Sequence, residues 1–446
     1  MTDLLDTLDP GFGGAIIEPG GADYESASRT LLAVGRPARV LRPLTAADVQ
    51  AAVRFAAAQQ GPLAVRGGGH SFPGFGTNDG GTVIDLAELN AVEVLDDAHG
   101  VVRVGGGATW GQVAAALTPH GLAISSGDTA SVGVGGLTLG GGMGWKVRAY
   151  GLTIDSLLAA QVVTADGSVV RASADENSDL FWALRGGGGN LGVVTSFEFV
   201  AHRTTDVSFG ALSFPASEAV AVLSGWADHL RTAPLGLTTT IELANPFAGG
   251  AEAPVVVHLC FDGDDAEEAA AAIDPLRRLG TLLADTVAPT PYAGVLAEGA
   301  VPPPGIRLVT RNGLVGPAEV PGVLSTLAAV AAAPGSPFLT IRSLGGAVSA
   351  VPREATAYAH RDAELMVATT IAGPAPVIDT ARTGFDALWD RLAPYVDGAY
   401  VNFLSSATGE EAAAVYPPDT RARLATVKRH YDPANLFAGN LNVIPR

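Results

Sequence analysis

The sequence predicts a two-domain α+β protein. Its 446 residues exceed the roughly 250–300 at which a single hydrophobic core stops growing. Up to about Arg203, short strand-like runs alternate with helical ones, and the links between them are rich in glycine. Beyond it the glycine clusters thin out. Strand-like runs there outnumber helical ones and are joined by hairpin-length links, the pattern of a largely antiparallel sheet with helices on one face. The expected division is residues 1–203, 204–404 and a C-terminal segment 405–446.

In the first part, "LTAADVQAAVRFAAAQQG" reads as an amphipathic helix opened by Thr45, with Asp48 as its capping-box partner. Strand-like "PLAV", "GTVIDL" and "GVVRVGG" follow, then helical "ATWGQVAAALTPHG" and "LAISSG". "LLAAQVVTADGSVVRAS" has an Asp-Gly turn between two β-rich arms, a hairpin signal. Helical "NSDLFWALRG" and strand-like "GVVTSFEFVAH" close the region near His202.

The second part begins with strand-like "DVSFGALSFP" and helical "ASEAVAVLSGWADHL". Strands "LTTTIELA" and "APVVVHLCF", helix "DAEEAAAAIDPLRRLG" and a Pro-rich stretch around "AVPPPGIRL" come next. Strands "PFLTIRSLGG" and "ELMVATTIAG", helix "VIDTARTGFDALWDRLAP" and strand-like "AYVNFLS" complete it. The closing "RARLATVKRHYDPANLFAGNLNVIPR" reads as a basic helix and an Asn-rich tail that returns to the first domain.

Composition removes several function classes. Hydrophobic residues make up 48% and charged ones 16% of a chain with net charge −18. That field repels phosphate backbones and disfavours nucleic-acid binding. The single cysteine, Cys260, lies among apolar residues and reads as a core thiol; alone it forms neither an intramolecular disulfide nor a cysteine-based metal site. No histidine spacing matches a metal motif, so no metal is expected. The acidic N-terminus lacks a signal-peptide pattern and no uninterrupted apolar span suits a membrane, so a cytoplasmic location is expected.

Glycine-rich runs carry the chemistry. "VRGGGHSFPGFG" places His70 behind three glycines, and "GGGATWG", "SVGVGGLTLGGGMGW" and "RGGGGNLG" follow. Gly187, Gly189 and Gly192 satisfy G-x-G-x-x-G. A helix precedes that run and a strand follows it, the reverse of the Rossmann context. Exposed backbone amides at strand ends form anion nests and let a flat ring lie against the main chain. Several long runs in one domain point to a large, phosphate-bearing cofactor.

The residues Arg66-Gly67-Gly68-Gly69-His70-Ser71, the Gly133–Gly144 stretch, "YGLTIDSLLAAQVVTADG", "DLFWALRGGGGNLGVVTSFEF" and "YDPANLFAGNLNVIPR" resemble the FAD-linked oxidases of the vanillyl-alcohol oxidase superfamily, closest to its berberine-bridge-enzyme-like branch. The resemblance covers nearly the whole chain in the family's order. It implies the two-domain vanillyl-alcohol-oxidase-like fold and FAD bound covalently through His70, with Arg66 and Ser71 flanking the glycines. Further FAD contacts are implied at Gly127, Thr129, Val132, Gly133, Gly135, Gly136, Gly140 and Gly144, at Tyr150, Gly151 and Asp155, at Gly192 and Val194, and at Asn440 and Asn442. Doubly tethered members carry a cysteine where this chain has Thr129, so a single tether is implied.

The resemblance also places the family's Tyr-x-Asn element at Tyr400 and Asn402. If "AYVNFLS" is a strand, both side chains share one face. Tyrosine, with an ordinary pKa near ~10, needs a helper to act as base at neutral pH. Arg342 and Glu364 are the candidates for that helper, or else are structural. The implied activity is oxidation of a small-molecule alcohol, amine or natural-product scaffold by hydride transfer to flavin, with O2 reduced to hydrogen peroxide. A dehydrogenase or oxidative cyclase on the same fold is the alternative.

Overall fold

The computed structural model describes residues 8–204, 206–243, 254–298, 303, 305–333 and 335–446. Around the N-terminal half, the strands Ala15–Ile17, Arg39–Arg42, Thr82–Asp85 and Leu63–Arg66 form one sheet in that order. Its Leu63–Arg66 edge delivers the chain directly into Gly67. A second sheet orders Val92–Asp96, Val101–Gly105, Val193–Val200, Leu157–Val163 and Val169–Ser173, all antiparallel. The Asp-Gly hairpin forms as the sequence predicts, with Gly167 at φ +78° and Asp166 accepting from the Ser168 amide. The Thr45–Asp48 capping box closes the Ala46–Ala58 helix in both directions.

The other large body is one antiparallel sheet. Its order is Ala284–Asp285, Asp206–Phe214, Val255–Phe261, Leu237–Leu243, Phe338–Ser343, Leu365–Gly373 and Arg307–Val315, with Ala288–Pro291 also on the second strand. Alternation sorts its side chains. Ile241, Val257, Ile341 and Val367 share a core with Val222, Trp226, Leu324 and Trp389 of the covering helices. The opposite face looks toward the glycine-rich loops, because Arg342 on it pairs with Asp128.

Three elements differ from expectation. The Arg307–Val315 strand and the Val320–Ala331 helix are not foreseen, because the Pro-rich approach to the strand masks its alternation. "AYVNFLS" is not a strand. Tyr400 is extended, and Val401–Phe403 form a 3-10 turn. The edge strand Arg307–Val315 meets this segment by backbone bonds between Leu314 and both Asp397 and Gly398, and from Ser405 to Thr310; between them the Asn312 side chain bonds Tyr400's own N–H and C=O and interrupts the ladder.

The Pro418–Tyr431 helix and the tail pack on residues 178–190. Buried Lys428 donates to Phe437 O, Asn442 Oδ1 and Asn190 Oδ1, and pairs with Asp432. Among the described residues no helix is long and apolar enough to cross a membrane, and no His/Cys/Asp/Glu group is placed to hold a metal.

Candidate active site

The glycines of the first two runs meet one another. A Cβ on Gly68 would overlap the Gly133 nitrogen, and one on Gly133 would overlap the Gly68 nitrogen. Two backbone loops thus touch without side chains between them, and the glycines serve that contact first. Beyond it, the amides of Gly67, Gly68, Gly69, His70 and Ser71 have no hydrogen-bond partner among the described residues. Nearby, a Cβ added at Gly136 would meet nothing within 4 Å. Unsatisfied backbone donors beside an open glycine face form a cradle suited to a phosphate-bearing group.

His70 lies half-buried beside the second loop, against the Ser131 carbonyl. Burial lowers its pKa, and the Glu298 charge and the Ser131 carbonyl only partly restore it. Imidazole at this site is therefore neutral at pH 7, with one nitrogen turned to Ser131 and a lone pair on the other. Thr129 bonds Asp128, and Ala130 bonds Ala297 O, so the segment carrying Glu298 runs alongside this loop.

Phe72, two residues past His70, stands 6.1 Å from Phe403, whose ring is 5.9 Å from that of Tyr400. Tyr400 is 1% exposed. Its hydroxyl accepts from the Gly142 amide at 3.0 Å and from Asn402 Nδ2 at 2.9 Å. Gly142 sits at φ +88°, a conformation glycine adopts without a Cβ penalty. Asn402 also donates to Leu137 O, and a Cβ at Gly140 would strike its amide. Burial raises the Tyr400 pKa to about 12, while the Gly142 and Asn402 donors and the Arg342 charge pull the other way. With both donors filling its lone pairs, the phenol's own proton is the one left to point elsewhere.

Arg342 is at this site: its guanidinium lies 5.0 Å over Phe403 and is hydrogen-bonded to Asp128 across the domain seam. Glu364 is not brought here; its carboxylate takes Arg231 Nε at 3.2 Å. Arg66 is spent on Asp85 and the Arg29 carbonyl beneath the loop. Asp155 forms a two-pronged pair with Arg361, and Tyr150 stacks on His202 beside the buried Lys146–Asp262 pair. Asn442 binds Lys428. Asn440 bonds Gly189 O and leaves a buried Oδ1 without a partner. Gly127 and Gly144 lie back to back around Ser126, Gly151 takes the Ser125 hydroxyl, and Gly192 and Val194 open the Val193–Val200 strand region. The Val132 carbonyl anchors Trp110, and Gly135 abuts Gly106. Ser71 caps the Phe75 amide.

Sequence reasoning missed Gly142, Asp128, Asn312 and Phe403. Asn312, directly after Thr310 and Arg311 in "RLVTRNGLV", left no signal that set it apart. A cavity of about 530 Å³ lined by Trp110, Leu117, Thr204 and Tyr292 lies elsewhere on the seam and has no contact with His70 or Tyr400.

A model described as "FAD binding domain" matches residues 37–173, and one for "Berberine and berberine like" proteins matches 399–444. (R)-6-hydroxynicotine oxidase of Paenarthrobacter nicotinovorans is 34% identical over 438 residues, 92% of each chain. The chain belongs to the berberine-bridge-enzyme-like FAD-linked oxidases. It is an FAD-dependent oxidoreductase with the two-domain α+β fold of that family. The solved 6-hydroxy-D-nicotine oxidase from Arthrobacter nicotinovorans aligns at TM-score 0.84 and 30% identity over 100% of this chain and 99% of that one. A chitooligosaccharide oxidase aligns at TM-score 0.87 and 25% identity over 100% of both. Glucooligosaccharide oxidase from Acremonium strictum, which carries a 6-S-cysteinyl, 8α-N1-histidyl FAD, aligns at 0.87 and 24% over 99% of both.

Proposed function

We propose that this family member is an oxidase holding FAD through one covalent bond from His70 and oxidising a small-molecule alcohol or amine, with O2 as acceptor and hydrogen peroxide as product. Residues 1–203 form the cofactor domain and 204–404 the substrate domain, with 405–446 packed back on the former. The observation that carries this reading is the convergence of the His70 loop and Tyr400 through Phe72 and Phe403.

The residues present fit the cofactor. The free amides of Gly67–Ser71 and the open Gly136 face would hold its phosphates, with Gly133 and Gly135 completing the cradle. His70, neutral and with a lone pair free, is in the form that bonds to carbon. Thr129 cannot supply a second sulfur tether, and Cys260, buried with its pKa pushed up to about 12, is unreactive. Bound flavin would supply the hydride acceptor and the route of electrons to O2. Tyr400 takes the proton leaving the substrate's O–H or N–H, and Gly142, Asn402 and Arg342 stabilise the phenolate it must be to do so.

Acid precipitation tests the tether. Yellow colour should remain in the pellet, one FAD-bearing peptide should appear on digestion, and it should contain His70. His70→Ala should leave the flavin extractable or absent. Colour released wholly from the wild-type protein, or a second adduct, overturns this part of the reading. Anaerobic bleaching against alcohols, amines, sugars and phenols tests the oxidation itself.

A further inference from the structure

The sheet face that looks toward Tyr400 carries polar groups that the reaction above does not use. Register places them in rows. One row runs His258, Thr240, Arg342, Met366 and Leu314, each directly opposite the next. The next row outward runs Val256, Glu242, Thr340, Ala368 and Asn312. Members of both rows point to the same face, because positions i and i+2 of a strand do. Two facts fix which face. Arg342 reaches Asp128 of the glycine-loop domain, and Asn312 holds the Tyr400 backbone. The alternate positions Ile241, Val257 and Ile341 are in the helix-covered core.

Within these rows the only ionisable groups are His258, Glu242 and Arg342. Arg342 is neutralised by Asp128. Among the described residues Glu242 has no arginine or lysine partner; it faces His258, with Oε2 3.5 Å from Nε2. Both side chains are about 30% exposed, while the Nε2 atom itself is shielded from solvent and makes no hydrogen bond among the described residues. A carboxylate only accepts hydrogen bonds. Glu242 therefore presents acceptors and negative charge, which an ammonium, with three donors and a positive charge, satisfies better than a hydroxyl with one. The exposed Glu298 beside His70 adds a second negative group near the site.

We infer that the Glu242–His258 pair is the substrate-reading end of the site and binds a cationic nitrogen distal to the carbon being oxidised. The inference rests on the proposed oxidase reading, and it narrows the substrate to an elongated, two-ended molecule. Three strand spacings separate Glu242 from Asn312 within their row, about 14 Å at ~4.8 Å each. Asn312 holds the Tyr400 backbone at the far end of that row, so a cation at Glu242 stands on the order of 10 Å from a carbon reacting beside Tyr400. Small single-headed alcohols do not bridge that interval.

The test uses the flavin-loaded protein and the probes hexamethylenediamine, aminohexanol and hexanediol, which share one chain and differ in their ends. Perturbation of the flavin absorbance reports binding whether or not the probe is oxidised. Probes with an ammonium should bind roughly ten- to a hundred-fold more tightly than hexanediol, the usual worth of a charge-assisted hydrogen bond. Glu242→Gln should erase that preference, and added salt should weaken it. Equal binding of all three by the wild-type protein overturns the inference without any variant. A preference that survives Glu242→Gln overturns it as well. A protein whose flavin is bleached by a neutral polyol, with no ammonium preference, keeps the oxidase reading and loses only this one.

Discussion

Tyr400→Phe is expected to keep FAD in place and slow anaerobic flavin reduction by about 10²–10⁴, the usual worth of a positioned acid–base group. The ring stays in the cluster of Phe403 and Tyr358, so packing is nearly conserved. The cost to the fold is the unpaired Gly142 amide and Asn402 Nδ2 that the hydroxyl had accepted, about 1–3 kcal/mol. Stopped-flow reduction isolates the step from reoxidation. A mutant reduced at the wild-type rate ends the candidacy of Tyr400, and a loss confined to substrate affinity makes it a binding residue. The pH dependence carries a sign. Burial holds the phenol protonated, with a pKa of about 12, and under the proposed reading the active form is the phenolate. Wild-type reduction should therefore rise by about tenfold per pH unit across neutrality. Tyr400→Phe should flatten that rise. A wild-type rate already flat from neutral pH upward means the phenol is not the base.

The second large effect is expected in the glycine loops, where two substitutions of the same size should behave oppositely. Gly133→Ala drives a Cβ into the Gly68 backbone. Neither main chain can yield without moving the His70 loop, so the toll is at least the ~1–3 kcal/mol of ordinary overpacking. The protein should lose stability and flavin together. Gly136 lies in the Val134–Gly140 helix with nothing within 4 Å of an added Cβ. Gly136→Ala should leave the cofactor-free fold as stable or up to about 1 kcal/mol more so. It should still reduce FAD retention, because the added methyl occupies the open face of the cradle. Denaturant unfolding alongside the flavin-to-protein absorbance ratio separates the two. Full FAD retention by Gly136→Ala would place the cofactor elsewhere.

The α+β class, the family and the candidate roles of His70, Tyr400 and Asn402 were all accessible from the chain. They rest on local signals: alternation with period two, the Thr45–Asp48 cap, the Asp166-Gly167 turn and contiguous glycine motifs whose order along the chain is specific. Charge and strand setting single out Arg342, and it does lie by Phe403 and Tyr400. The same grounds single out Glu364, which lies with Arg231. One-dimensional reasoning could not separate them. Both sit on or beside strands with the same alternation, and only the tertiary structure decides which lies by Phe403 and which by Arg231.

What the tertiary structure alone decided is what surrounds the reactive groups. The Gly142 amide that meets the Tyr400 hydroxyl is 258 residues away in sequence, and a backbone amide has no residue type by which to be recognised. The Gly68–Gly133 contact gave the glycines a purpose, loop against loop, that composition assigned wholly to the cofactor. Tyr400 and Asn402 converge through a 3-10 turn held by Asn312, where the sequence called for a strand. Alternation in "AYVNFLS" is genuine, but a strand also needs an unbroken partner ladder, and the neighbouring edge breaks it at Tyr400, where the Asn312 side chain takes both backbone groups between the Leu314 and Thr310 backbone bonds. By itself, then, the sequence determined the fold class, the cofactor family and the groups able to react. Which charge accompanies Tyr400, and that Glu242 and His258 stand side by side, depended on strand order and register, which set distances that no spacing along the chain contains.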